Sequence, residues 1–502
     1  MSTAFLLFKH LMPEIILLVT ALIVLSVGLV RTNRRNALLG LTLLGGIASI
    51  VWIFFHPENA NIAQGMAVID PLTRFVKMII VGLSLVACIY TASSNIREHF
   101  AEYLALILFS TIGMMLLVSA EDLLMIFIGL EMTSIPLYIL TGYLKRSNAS
   151  AEAALKYFLY GGVASAFLLF GLSFIYGATG VTSLQNLSKM VVIETFDPLL
   201  LTGLAFALAG FGFKVAAVPF HLWAPDVYEG APTPTAALIA TGSKVAGFLI
   251  LAKFLTTGLA RAAGSAAWGA FQAGWLPLLA VVAVVSIIAG NLAALAQHNV
   301  KRILAYSAIA QAGYMLLGLM ATGANGLAAV LFYAIIYAVT TLGAFGVVAI
   351  VEQRRGGSHL HHFDGLHKNA PGLAFAMGVF MISLAGIPPL AGFIGKFYLF
   401  AVVLDFGSST ETGALGHLWL VIIAVIFNAV SLYYYMIVLK HIYIAPEQDD
   451  KPWTRSAAGY CVGILATAVI VIGIYPSTLV KPAFSAVNGA IIAAEKAAKL
   501  AK

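Results

Sequence analysis

With 502 residues, of which 61% are hydrophobic and 10% charged, the chain has more apolar surface than one water-soluble core could hide, so an ordinary soluble domain is excluded. The net charge of +7 could suit nucleic acid, but the basic residues fall in short loops between apolar runs, where membrane topology accounts for them. Those runs lack the alternation of a transmembrane barrel, so the composition implies an all-α polytopic membrane protein with no nucleic-acid partner.

Apolar runs of roughly 18 to 25 residues predict about fourteen transmembrane helices. The first three fall near 5–30, 37–56 and 71–92. The first of them lacks a basic leader and a small-residue cleavage site and carries Glu14 beside Pro13, so it reads as a retained span. Five more follow near 101–119, 122–142, 150–177, 199–227 (interrupted at Pro219) and 233–256. A second set lies near 275–296, 301–322, 327–351, 371–404 (interrupted at Pro388 and Pro389) and 416–442. A last span is expected near 457–478, and Ala493–Lys502 reads as a short basic interfacial helix. The expected organisation is a three-helix segment (1–100), two five-helix repeats (101–256 and 275–442), and a last helix with a basic tail (443–502). An odd number of spans per repeat inverts the second relative to the first. Identity between the halves is weak, so the repeat rests on helix order and on an interrupted helix in fourth place in each.

Arg31, Arg34, Arg35, Arg97, Lys145, Arg146, Lys301, Arg302, Arg354, Arg355, Lys368, Lys440, Lys451 and Arg455 fall in alternate loops, which the positive-inside rule makes cytoplasmic. Both termini then lie on the outer side. Lys189 and Arg261 are exceptions, and loop 226–232 carries Asp226 and Glu229 without a basic residue.

Lys214 lies in an apolar run broken five residues later by Pro219. A lysine is costly in hydrocarbon and a proline frees a backbone carbonyl, so together they predict a protein-lined polar cavity. The plain alternative is a snorkelling lysine on a kinked helix. Glu131 sits about 14 Å along its helix at 1.5 Å per residue, too deep to snorkel, and Lys214 is its candidate partner; a protonated Glu131 bonded to a neighbouring helix is the alternative. Lys244, among small and hydroxyl-bearing neighbours, reads as a relay, and Lys253 near the same helix end as a snorkelling anchor. Lys396 follows Pro388 and Pro389 among Gly386, Gly392 and Gly395, which again implies unwound backbone beside a lysine. If the topology holds, Lys214 and Lys396 both lie on the outer side of their breaks.

Lys156 is a further candidate relay, although Glu152 four residues before it makes an ion pair along one helix face an adequate account. His221 and His298 are candidate bridges between lysines, His298 being equally compatible with a helix-end surface position. The run His359 to His367 lacks standard ligand spacing, and Cys88 and Cys461 stand alone, so neither a metal nor a redox centre is expected. Phosphate-binding loop, dinucleotide fingerprint and nucleophile elbow are also missing. Intramembrane Glu and Lys with broken helices indicate ion movement, most simply of protons.

Taken together, Glu131, Lys214 with the Pro219–Pro225 stretch, Lys244, and Pro388–Pro389 with Lys396 resemble the antiporter-like membrane subunits of respiratory complex I, most closely the subunit N type. The resemblance covers nearly the whole chain. It implies the fourteen-helix fold, inverted repeats and proton-channel roles for Glu131, Lys214, Lys244 and Lys396. It also implies other membrane and peripheral subunits as partners, further antiporter-like subunits among them, in a bacterial inner membrane. NADH, FMN, iron–sulfur clusters and quinone would belong to those partners, with no cofactor in this chain. About two dozen residues follow position 478, which departs from subunit L with its long lateral helix; Lys396 departs from subunit M, whose members typically carry Glu there. Alternatives are a subunit of a multisubunit cation/proton antiporter or membrane-bound hydrogenase, and a scaffold that moves nothing, which would have to explain at least four deep charges.

Overall fold

The computed structural model describes residues 8–30, 35–94, 96, 98–191, 197–409, 416–446, 453 and 456–500. Arg31, Arg34, Arg97, Lys451, Arg455 and the last two residues of the expected tail helix lie outside them. Eighteen principal helices follow in chain order: α1 (Met12–Val30), α2 (Arg35–Phe55), α3 (Pro71–Ala92), α4 (Phe100–Ser119), α5 (Leu123–Thr141), α6 (Asn148–Thr179), α7 (Pro198–Val215), α8 (Trp223–Gly230) and α9 (Thr233–Ala240). Then come α10 (Gly242–Lys253), α11 (Trp275–Leu295), α12 (Val300–Met320), α13 (Ala324–Arg355), α14 (Pro371–Ala385), α15 (Ala391–Ser409), α16 (Leu418–Tyr443), α17 (Ala457–Ile474) and α18 (Ser477–Leu500). Among the described residues thirteen helical spans are long and apolar enough to cross a membrane, and α14 with α15 forms a fourteenth, interrupted one. Among the described residues the one β-ladder is a small hairpin pairing Ala60–Ile62 with Ala67–Ile69.

Polar residues at the span ends supply the partners that hydrocarbon cannot. Asp70, Asp122, Asp197 and Asn299 each accept a hydrogen bond from a first-turn amide, with Pro71 and Pro198 at positions that need no donor. At one end of the bundle, here the basic face, Lys156 pairs with Glu152 at 2.7 Å and Asp226 at 2.6 Å, and Arg302 bonds both Asp226 and Glu229. The acidic residues of loop 226–232 therefore neutralise basic residues of the same face, and they tie the first five-helix set to the second. The opposite face holds the Glu121–Lys253 pair at 2.9 Å. Lys253 is buried and also donates to the Val118 carbonyl, so it is a paired interior charge and does not snorkel.

Inside the N-terminal segment Lys77 donates to Glu14 at 2.6 Å with both side chains buried, which explains how an early span tolerates a carboxylate. The C-terminal helix is also longer than the expected Ala493–Lys502. It begins at Ser477, runs through Pro482, and buries Ala483 and Val487 while packing on α3 and α13. Ala483 and Val487 seat its first half on protein, ahead of the expected basic segment 493–502, whose side chains from 495 onward lie outside the described ones.

Candidate functional site

Three lysines lie in the interior of the two five-helix sets: Lys214 is 5% exposed, Lys244 2% and Lys396 3%. Each stands at a discontinuity in the helix that carries it.

The first is at the end of α7. The helix stops at Val215, one residue after Lys214, because Ala216 takes a left-handed conformation (φ 58°); Pro219 then occupies the turn before α8, so the interruption begins earlier than the proline. The backbone groups it frees are met by protein. The Phe213 carbonyl accepts from the Ala216 amide and from Trp223 Nε1, while the Val218 amide donates to Ser286 Oγ at 2.9 Å.

The second lies between α14 and α15. Gly386 ends α14 with φ 79°, a conformation glycine adopts without penalty. The freed Leu384 carbonyl accepts Lys396 Nζ at 2.6 Å and Gln311 Nε2 at 3.3 Å, so the lysine itself caps the broken helix, and its remaining partner is Asn428 Oδ1.

The third was not legible as a proline. Thr241 (φ −119°, ψ −80°) separates α9 from α10 inside a span that is entirely buried. Three residues on, Lys244 donates to the Ala308 carbonyl at 2.7 Å and faces the Tyr337 ring at 5.6 Å.

Glu131 and Lys214 share this region without touching. Lys214 Nζ donates to Ser134 Oγ at 3.0 Å, and Glu131 accepts from the Ser165 hydroxyl on α6. Ser134 is one turn beyond Glu131 on α5, so a serine stands where the sequence suggested a carboxylate, with the carboxylate next along the same helix face. A Cβ on Gly247 would lie 3.2 Å from Lys214 Cγ, which places α10, one turn past Lys244, directly against the Lys214 stem. Gly247→Val should therefore displace Lys214 and lower proton flux more than Gly247→Ala; equal flux in the two reconstituted variants would show that this contact positions nothing.

Between Lys244 and Lys396 the structure supplies groups that the sequence reading passed over. Ser307, next to Ala308, bonds the Tyr435 hydroxyl; Gln311 Nε2 donates to the same hydroxyl at 3.3 Å and to Leu384 O, and Tyr333 donates to Gln311 Oε1. These neutral groups form a hydrogen-bonded series from the neighbourhood of Lys244 to Lys396. Their signal in the sequence is that Ser307, Gln311 and Asn428 are polar residues in apolar spans, weaker than that of the lysines because none of them is ionisable.

His298 is not part of this series. It is exposed on the basic face, with Nδ1 3.2 Å from Ala296 O, so it does not bridge the lysines. His221 lies in the turn between α7 and α8 and makes no side-chain hydrogen bond to a lysine among the described residues. Lys156 is held by its two carboxylates at the basic face, as Glu152 suggested. His359, His361 and His362 gather in one loop, where burial and then His361 hold the His362 imidazole below its ordinary value. Neither these nor any other three His, Cys, Asp or Glu side chains among the described residues are placed so that they could hold a metal ion together.

Residues 120–431 match the family described as NADH:quinone oxidoreductase/Mrp antiporter, TM. NADH-quinone oxidoreductase subunit N 2 of Acidobacterium capsulatum is 42% identical, the alignment covering 94% of this chain and 97% of that protein. Subunit N of Desulforamulus reducens is 38% identical over 89% of this chain and 90% of its own length. Among solved structures, a chain of respiratory complex I from Thermus thermophilus with bound aureothin superposes with a TM-score of 0.77 at 32% identity, covering 93% of this chain and 98% of that one. A chain of the Mrp complex from Dietzia sp. superposes with a TM-score of 0.80 at 21% identity over 96% and 97%, which shows a shared fold.

Proposed function

The chain belongs to the NADH:quinone oxidoreductase/Mrp antiporter transmembrane family, and from that premise we propose that it is a proton-translocating, antiporter-like membrane subunit of an NADH-quinone oxidoreductase, of the subunit N type. The observation that carries the reading is the line of three buried lysines, each at a helix discontinuity, joined in part by neutral hydrogen-bonding side chains. A lysine at such a point can hold a proton against a carbonyl and pass it to water or a hydroxyl when the local geometry shifts.

Lys214, Lys244 and Lys396 act as successive proton stations, and Glu131 sets the first. When the carboxylate approaches, it holds Lys214 protonated; when it turns to Ser165, the ammonium keeps only the Ser134 hydroxyl and release is favoured. Gln311 and Tyr435 take the bridging role once expected of His298. The energy arrives from partner subunits, which carry NADH, FMN, iron–sulfur and quinone chemistry. The basic face is cytoplasmic and the termini are on the outer side of a bacterial plasma membrane, the arrangement its Lys and Arg loops favour.

In the whole complex reconstituted in vesicles, Lys244→Ala should leave a normally assembled enzyme with depressed proton uptake per NADH oxidised. Unaltered uptake would remove Lys244 from the path. The purified chain by itself should oxidise no NADH and show no flavin or iron–sulfur absorbance, because no cofactor motif is present; a stoichiometric redox cofactor on it would overturn the assignment. Co-purification with flavin and iron–sulfur subunits separates this reading from that of a stand-alone cation/proton antiporter component.

A further inference from the structure

On the basic face, the first turn of α4 and the loop joining α5 to α6 enclose a cleft of about 790 Å³, the size of a small-molecule site. Its rim carries charge of both signs, Lys145 and Arg146 on the loop side and Glu98 and Glu102 on the α4 side. These charges are little used by one another. Arg146 stands 3.8 Å from Glu98 with the two side chains 94% and 77% exposed, an ion pair of the kind that contributes little in water. Lys145 is exposed and has no side-chain partner among the described residues.

Below the rim the cleft turns apolar. Leu106, one turn past Glu102 on α4, and Ile139, near the end of α5, form its floor. Ile139 is also the last member of a stripe, Leu124, Ile128, Met132, Ile135 and Ile139, that runs the length of α5 at three- and four-residue spacing, every member at least 39% exposed. The walls are held in place from behind: the Tyr143 hydroxyl donates to the His99 carbonyl, and its ring meets Tyr103 edge-on at 4.8 Å, which fixes the loop to the start of α4. A charged cleft at the level where spans begin and end, opening onto an apolar strip of membrane length, has the two-part chemistry of a phospholipid.

We propose that the cleft binds the headgroup of a zwitterionic aminophospholipid of the phosphatidylethanolamine type, its phosphate on Lys145 and Arg146, its ammonium on Glu98 and Glu102, and one acyl chain along the α5 stripe. Charge complementarity selects this lipid. An anionic headgroup without an amine leaves the two carboxylates facing negative charge, and a quaternary choline ammonium offers them no N–H donor, whereas a primary ammonium offers three. A soluble phosphate compound would gain nothing from the floor or the stripe.

The test uses the whole complex in lipid nanodiscs with phosphatidylethanolamine carrying a photoactivatable diazirine in one acyl chain, the crosslinks being mapped by mass spectrometry. Labelling should concentrate between Leu124 and Ile139, and unlabelled phosphatidylethanolamine should displace it better than phosphatidylcholine or phosphatidylglycerol. Lys145→Ala combined with Arg146→Ala should cut the labelling about tenfold, the equivalent of one charge-assisted hydrogen bond; if that pair does not assemble, Lys145→Ala alone takes its place. Glu98→Gln combined with Glu102→Gln should reverse the order of competitors, so that phosphatidylglycerol displaces the probe better than phosphatidylethanolamine, a change of preference that damaged folding would not produce. Labelling that is equal in wild type and the Lys145/Arg146 variant, or displaced equally by all three lipids, would make the contact that of bulk lipid and overturn the site. Absence of label from α5 in a complex whose other chains are labelled would show that a partner subunit covers the cleft and its stripe, and would overturn it as well.

Discussion

Replacing Lys214 by alanine is expected to reduce proton uptake by about a hundredfold, the low end of what a positioned acid–base group contributes, while the complex still assembles. Assembly should survive because the discontinuity beside Lys214 is capped by other groups: Trp223 Nε1 and the Ala216 amide serve the Phe213 carbonyl, and Ser286 serves the Val218 amide. Glu131→Ala should also impair uptake, since in the proposed switch it removes the carboxylate that holds Lys214 protonated. Ser134→Ala should have a smaller effect, because it deletes a neutral acceptor and leaves the carboxylate one turn away. Uptake measured in vesicles beside quinone-reductase activity in detergent decides the order. Normal pumping with either Lys214→Ala or Glu131→Ala would take the pair out of the mechanism, and a Ser134→Ala defect as large as that of Lys214→Ala would give the serine the role assigned here to Glu131.

That ranking shows how far the sequence could be read. Depth in the membrane is legible, because position along an apolar run converts to distance at about 1.5 Å per residue; hence Glu131, Lys214, Lys244 and Lys396 were found. Azimuth is not. Whether Lys214 meets Glu131 or Ser134 depends on how α5 and α7 are rotated about their axes, which packing against α6 and α10 decides. Lys253 illustrates the same limit, since a lysine near a span end fits snorkelling until Glu121, far off in sequence, is placed beside it. Breaks marked by proline were visible at Pro219, Pro388 and Pro389, whereas the break at Thr241 carries no residue that forbids a helix and owes its shape to the surrounding bundle.

The neutral links between lysines were missed for a chemical reason. A search for ionisable groups weights each residue by the cost of burying its charge, and that cost is small for glutamine, tyrosine and serine. Yet a proton crossing between buried ammonium groups needs intermediates that can donate and accept without acquiring a lasting charge. Gln311 and Tyr435 meet the geometric part of that requirement because Leu384 O, freed at the second discontinuity, accepts from both Gln311 and Lys396. The same unwound carbonyl stabilises the lysine and joins it to the series.

Lys396→Arg is the sharpest separation of a charge that holds structure from one that moves. Lys396 caps the Leu384 carbonyl and bonds Asn428, and its stem runs beside Gly386, where a Cβ would approach Lys396 Cδ to 3.1 Å. Arginine retains a positive donor for both acceptors but does not release its proton at any pH the complex tolerates. Moving one charge against a membrane potential costs about 2.3 kcal/mol per 100 mV, so a driven switch must change a station's proton affinity by at least one or two pKa units at about 1.36 kcal/mol each. Guanidinium titrates too far from the working range for such a swing to unload it. Lys396→Arg should therefore assemble and bind its neighbours normally yet depress proton uptake strongly, whereas Lys396→Ala should lose uptake and also weaken the complex, because the Leu384 carbonyl then keeps only Gln311 in a buried site. Proton uptake in vesicles and thermal stability in detergent, measured on both variants, separate the two roles: wild-type uptake with arginine at 396 beside a defective alanine variant would mean that the charge there holds the broken helix and carries no proton.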